Sequence, residues 1–163
     1  VRADRLVLPG VGAFAAGMDS LRRNSLTDAI RARITGDRPL LAICLGMQLL
    51  GVASEESPGV EGLCITNTTA RAFPPWARAP HIGWNRVTPA TDDIDIQEGY
   101  AYFANSYRIT DLPEGWSGAL TDHVGPFVAA MRRGGTLACQ FHPELGTRLL
   151  NDWANQTKGA ATC

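Results

Sequence analysis

Three side chains in this sequence could do covalent chemistry together: Cys44, His142 and Glu144. Cys44 ends the apolar run Pro39-Leu40-Leu41-Ala42-Ile43, and the apolar helical pattern Leu45-Gly46-Met47-Gln48-Leu49-Leu50 starts at once. A strand that turns straight into a helix around a reactive residue, a nucleophile elbow, tolerates only small neighbours. Ala42 and Gly46, two positions before and after the cysteine, fit that requirement. Such a turn aims the sulfur out of the sheet and sets it near a helix N-terminus, where backbone N–H groups and the helix dipole favour the thiolate. The same residues would equally suit an inert cysteine buried in an apolar strand.

Thr136 to Phe141 reads as a strand that runs into His142-Pro143-Glu144. Residues two apart on an extended chain face the same way. Glu144 can therefore hold the His142 imidazole in the tautomer that accepts a proton. Of the other histidines, His81 lies at a loop–strand junction and His123 in a turn beside Thr121 and Asp122. His-Pro-Glu by itself also suits a structural histidine. Beside an elbow cysteine in the same sheet, His142 becomes the base.

These groups need a scaffold, and the chain up to Cys44 supplies its pattern. Arg5 to Leu8 is a short apolar strand stopped by Pro9-Gly10-Val11-Gly12, whose glycines let backbone N–H groups approach a ligand. A plain glycine turn is the competing reading. Met18, Leu21, Leu26, Ala29, Ile30 and Ile34 recur mostly at three and four, so Met18 to Ile34 is amphipathic helix, broken near Asn24-Ser25. Strand, helix, strand, helix argues for a parallel sheet with crossover helices, with ligands at the carboxyl ends of its strands. Gly10-Val11-Gly12 and Cys44 both lie at such ends.

Farther along, Ser54 to Gly62 reads as a polar loop and Leu63-Cys64-Ile65 as a strand. Phe73 to Pro80 is a proline-rich surface loop carrying Trp76, and His81 to Val87 a half-exposed strand. Asp92 to Glu98 is expected to be exposed, and Tyr100 to Ile109 to be one strand. Gly118 to Leu120 and Phe127 to Met131 flank Gly125-Pro126 as a hairpin, and Leu149 to Trp153 form a helix.

The chain's 163 residues suit one domain with a full core, and a net charge of −1 offers nothing to nucleic acid or an anionic membrane. No apolar run approaches the roughly 20 residues of a membrane span. Cys44, Cys64, Cys139 and Cys163 include no close pair, so no zinc knuckle or redox motif is indicated, and the reducing cytoplasm is the default compartment. No metal or cofactor is expected.

Taken together, the segments Leu8-Pro9-Gly10-Val11-Gly12-Ala13-Phe14, Cys44-Leu45-Gly46-Met47-Gln48, Pro80-His81-Ile82-Gly83-Trp84-Asn85, Tyr102-Phe103 with Ser106-Tyr107, and Gln140-Phe141-His142-Pro143-Glu144 resemble the class I (triad) glutamine amidotransferases. Within that class the chain looks most like the glutaminase subunits of imidazole glycerol phosphate synthase, from histidine biosynthesis. The resemblance implies an α/β fold of flavodoxin-like type. Its sheet would be open and mostly parallel with helices on both faces, with an added antiparallel hairpin region. The domain would span residues 1–155, followed by a polar tail, 156–163. The resemblance also implies Cys44, His142 and Glu144 as catalytic triad, and backbone N–H groups at Val11, Gly12 and Leu45 as oxyanion hole. Gly10, Gln48, Ser106 and Tyr107 would hold glutamine. Ammonia would pass to a cyclase subunit, a (β/α)8 barrel, in a heterodimer.

Three departures from the family stand out. The family usually has a further strand–helix–strand before the position of Val1, a histidine at Asn105, and a longer segment after Glu144, where here Leu145-Gly146 follow at once. They keep open an inactive or incomplete amidotransferase-like chain. A glutaminase of another synthase, such as that of pyridoxal phosphate synthesis, is the third reading.

Overall fold

The computed structural model describes residues 3–92, 94, 96–146 and 148–155; the expected polar tail lies outside them. Leu6–Leu8 (β1) leads through the glycine turn into Phe14–Arg23 (α1) and Thr27–Thr35 (α2), which part at Asn24–Leu26 as the sequence suggests. Leu40–Ile43 (β2) then enters Leu45–Gln48 (α3) through Cys44 alone. Ala53–Ser54 (β3) and Thr69–Ala72 (β4) precede the long strands His81–Pro89 (β5) and Gly99–Asn105 (β6). Tyr107–Arg108 (β7), Ser117–Asp122 (β8), Pro126–Arg133 (β9) and Thr136–Cys139 (β10) complete the strands. A 3-10 turn at Pro143–Leu145 and the helix Leu149–Asn155 (α4) follow.

Seven strands form the main sheet in the order β1-β2-β10-β9-β8-β5-β6, and β3-β4-β7 form a small second sheet. The expected α/β architecture with its antiparallel addition is present, in different proportions. β1, β2 and β10 pair in parallel, whereas β10-β9, β9-β8, β8-β5 and β5-β6 are antiparallel. The sheet is thus mixed, and the parallel part is the part that carries the elbow.

β2 is buried along its whole length because both of its faces are covered, as its unbroken apolar run requires. Leu40 and Ala42 join a core with Phe14, Met18, Ile30, Ile34 and Met47 from α1, α2 and α3. Leu41 and Ile43 face the opposite core, which holds Phe103, Phe127, Phe141 and Trp153 of α4. Helices therefore cover both faces. None of the described helices is long and apolar enough to cross a membrane.

Three local expectations change. Leu63-Cys64-Ile65 is not a strand. Its N–H groups donate back to the carbonyls of Leu49, Gly51 and Leu50, pinning it against the end of α3 instead of a ladder. Tyr100 to Ile109 is two strands, because Ser106 accepts from Phe73 N–H and Tyr107 pairs with Ala72, which moves the chain into the small sheet. In the acidic stretch 92–98, Ile94 and Ile96 turn inward to the second core, so only part of it is solvated.

Candidate active site

The elbow is built by close approach. Cys44 has φ 52° and ψ −113°, a conformation that costs a residue with a side chain about 1–3 kcal/mol. Its N–H donates to Cys139 O at 2.7 Å, so β10 holds the strained residue from the side. From the other side, β1 runs so near that a Cβ on Gly46 would collide with the Leu8 carbonyl, and one on Gly10 with the Gly46 nitrogen. The glycines and the cysteine are thus one device: the strain at Cys44 persists because its neighbours leave the backbone nowhere else to go.

Cys44 is 8% exposed. Burial raises its thiol above the ordinary range, against the opposing pull of the Leu45 N–H and of Gln140, and the Glu144 charge adds to the rise. The Leu45 N–H at the helix N-terminus does favour the thiolate, as expected, but burial outweighs it. α3 has only four residues, too short a dipole to outweigh desolvation. At rest the sulfur carries its proton, and a base must remove it.

His142 lines the same cleft as Cys44 and is the candidate for that base. Its Nδ1 lies 2.7 Å from Glu144 Oε1. A carboxylate only accepts, so Nδ1 carries the hydrogen and Nε2 is left as the acceptor. The two side chains meet as the spacing suggests, but by another route. Pro143 starts a 3-10 turn, so Glu144 swings around to His142 and does not project from an extended chain. His142 is fastened by its own N–H to Tyr102 O at 2.8 Å.

One cleft of about 310 Å³ gathers nearly all of the expected site. Gly10, Val11, Gly12, Cys44, Leu45, Gln48, Ser106, Tyr107 and His142 line it, and Glu144 joins through His142. Gly12 sits at φ 98°, open to glycine, with nothing near its would-be side chain, so this turn leaves room for an incoming ligand. Gln48 is bonded inward: its Nε2 donates to Tyr107 O at 3.1 Å and to Gln140 Oε1 at 2.9 Å. Asn105, also lining the cleft, donates to the same Tyr107 carbonyl at 3.0 Å, while its buried Oδ1 makes no well-formed hydrogen bond. Opposite it in the β5–β6 register stands His81, whose buried Nδ1 likewise makes no well-formed hydrogen bond, the two side chains interacting only weakly.

Two lining or adjoining groups escaped the sequence reading of the site. Glu56 reaches the cleft from the polar loop, where its Oε2 accepts from the Phe14 N–H at 2.7 Å and Ser57 Oγ accepts from Ala15. Those two side chains cap α1 from a distance, a tertiary contact for which the sequence has no local sign. Gln140 was visible only as part of a motif. Among the described residues, no cluster of three or more His, Cys, Asp or Glu is placed to hold a metal ion.

Comparison with known proteins agrees with this geometry. The sequence pattern of the family "Glutamine amidotransferase class-I" matches residues 2–152. The chain is 39% identical to imidazole glycerol phosphate synthase subunit HisH of Symbiobacterium thermophilum, over 93% of this chain and 75% of that one. It is 41% identical to the HisH subunit of Salmonella typhimurium, over 94% and 80%. A chloroplastic hisHF protein of Arabidopsis thaliana is 41% identical over 88% of this chain, which spans 26% of its length. In fold, a crystal structure of a glutamine amidotransferase superposes with TM-score 0.69 at 20% identity, over 92% of this chain and 77% of the other.

Proposed function

Because the chain belongs to the class I glutamine amidotransferases, we propose that it is the glutaminase subunit of an imidazole glycerol phosphate synthase, serving histidine biosynthesis with a cyclase subunit. The observation that carries the chemistry is the convergence, in one cleft, of a strained buried cysteine, a histidine in the proton-accepting tautomer and the backbone donors of two turns.

His142 Nε2 takes the Cys44 proton as the sulfur attacks the side-chain amide carbon of glutamine. Negative charge gathers on the amide oxygen, where the N–H of Leu45 and those of the Gly10–Gly12 turn meet it. A single such donor is worth about 10²–10³ in rate. The carbon–nitrogen bond breaks as His142 returns the proton to nitrogen, releasing ammonia. Water, deprotonated by His142, then opens the thioester and frees glutamate and the Cys44 thiol. Glu56 gives the cleft a carboxylate suited to the substrate's α-ammonium group.

The partner has a place to act. Ile82 and Trp84 are exposed on β5, and Trp84 packs edge-on against Tyr102 of β6, with ring centroids 5.8 Å apart. Tyr102 in turn holds the His142 backbone, and Trp84 lies against Gly146 behind Glu144. A cyclase subunit docked on this face would touch the base half of the triad through one layer of side chains. The relatives' names point to imidazole glycerol phosphate synthase and away from the pyridoxal phosphate assembly.

The test is glutamate release from glutamine, alone and with the cyclase subunit and its nucleotide substrate. Hydrolysis should rise when both are added and fall to background in Cys44→Ala. A second reading, a family member without catalysis, is favoured by the raised thiol and by the half-exposed Glu144 on its short turn. Turnover that disappears in Cys44→Ala would end it; hydrolysis indifferent to the cyclase would end the subunit reading instead.

A further inference from the structure

Gln140 is 0% exposed, and a fully buried amide must spend each of its polar atoms. The backbone N–H of Gln140 donates to Ala129 O at 2.8 Å, which fixes the residue one step beyond β10, beside the end of β2. Its side chain then lies between Gln48 and Cys44. Gln140 Oε1 is 2.9 Å from Gln48 Nε2, and Gln140 Nε2 is 3.5 Å from Cys44 Sγ.

The direction of both amides follows from an atom that cannot be turned around. The Tyr107 carbonyl oxygen only accepts, so the end of Gln48 that faces it, at 3.1 Å, is the NH₂ group. That group has a second hydrogen, and the Gln140 atom it meets must be the oxygen. The NH₂ end of Gln140 is thereby left to the sulfur. Asn105 donates to the same carbonyl at 3.0 Å and uses its second lone pair, so the anchor is saturated and held from β6 as well as from α3.

We propose that Gln140 is a further catalytic residue of this site: a buried amide N–H, oriented through Gln48 by the Tyr107 carbonyl, that stabilises the Cys44 sulfur in its anionic form. A hydrogen bond to the charged form of a group favours that form, and a low-dielectric site strengthens it. In the first step the Cys44 proton passes to His142 and the sulfur keeps the electron pair. The Gln140 hydrogen stays on its nitrogen throughout and follows the sulfur from thiolate to thioester and back. Gln140 opposes the burial that holds the thiol protonated, as does the Leu45 N–H. Leu45 must also serve the substrate oxyanion, whereas Gln140, behind the sulfur, is never diverted.

This inference rests on the glutaminase reading for the reaction but not for its test. The rate of Cys44 alkylation by iodoacetamide follows the thiolate fraction. It should be measured against pH in the full chain, with the alkylated residue identified by peptide mass, since Cys64 is exposed. Gln140→Met removes the donor, and its midpoint should rise by about one pH unit, a tenfold slower reaction below the midpoint. Gln140→Glu keeps an acceptor for Gln48 but places a carboxylate on the sulfur, and should rise further. A residue that only fills space would lower the melting temperature and leave the midpoint in place. An unmoved midpoint in either folded variant overturns the proposal. Should neither fold, Gln48→Met decides: it frees the Gln140 amide to rotate and should shift the midpoint upward by less, and no shift there is equally fatal. Wild-type chain that hydrolyses glutamine while the midpoints stay put would leave the glutaminase reading standing and this one fallen.

Discussion

The two halves of the proposed triad are held in opposite ways. Cys44 sits in the parallel part of the sheet, strained, with β1 and β10 closed around it and both cores beneath. His142 and Glu144 sit on a single 3-10 turn just beyond β10, leaning on β6, with side chains 13% and 47% exposed. The nucleophile is positioned by packing that allows no alternative. The proposed base is positioned by backbone hydrogen bonds to Tyr102 and Leu145 and by one carboxylate open to solvent. On the proposed reading, rigidity lies where the bond would form, and adjustability where the cyclase subunit would reach.

That contrast can be broken from either side. The largest loss is expected in Glu144→Gln. The amide cannot fix the same tautomer, and kcat should fall by about 10²–10⁴-fold. The melting temperature should hardly move, because half of this side chain is in water; a large drop in it would place the turn in the structural core. Gly46→Ala attacks the other side. Its new methyl meets the backbone of Leu8, so about 3 kcal/mol or more of stability should go, read as a fall in melting temperature. A tolerated alanine would mean that the elbow is looser than its geometry.

The smallest effect sharpens the picture behind the cleft. His81 stacks on His123 with ring centroids 4.2 Å apart and is shut among Phe73, Phe103 and Phe127. Burial, then the His123 charge, push its pKa down to about 4 from 6.5, against a pull from Asn105. Between those values the unfolded chain binds more protons than the folded one, so stability rises with pH from about 4 to 6.5 and is lost on acidification through that window. His81→Phe should flatten that part of the stability profile in a denaturant titration. A profile unchanged from wild type would mean that other groups govern it.

What the sequence disclosed and what it hid follow from the range of the interactions involved. The elbow was legible because strand, small residues, cysteine and helix are consecutive. The α1–α2 break and the β8–β9 hairpin were legible for the same reason. Leu63 to Ile65 has a strand's composition, yet its N–H groups find carbonyls of a distant turn first. Glu56 enters the cleft only because capping α1 from 42 positions away puts it there. The thiol's raised pKa was also out of reach, since it depends on how deeply two cores bury four residues of helix.

One pairing in the main sheet bears on how the protein comes into being. β2 and β10 lie side by side in parallel, and Cys44 and Gln140, which continue them, are 96 positions apart in the chain. The hairpins β5–β6 and β8–β9 join near neighbours, whereas this contact closes the longest loop of the site, and non-local parallel pairing is slow to form. Reactivity therefore waits on this long-range pairing. A nascent or half-folded chain presents an ordinary thiol, and the attacking sulfur exists only once the whole sheet has been laid down around it.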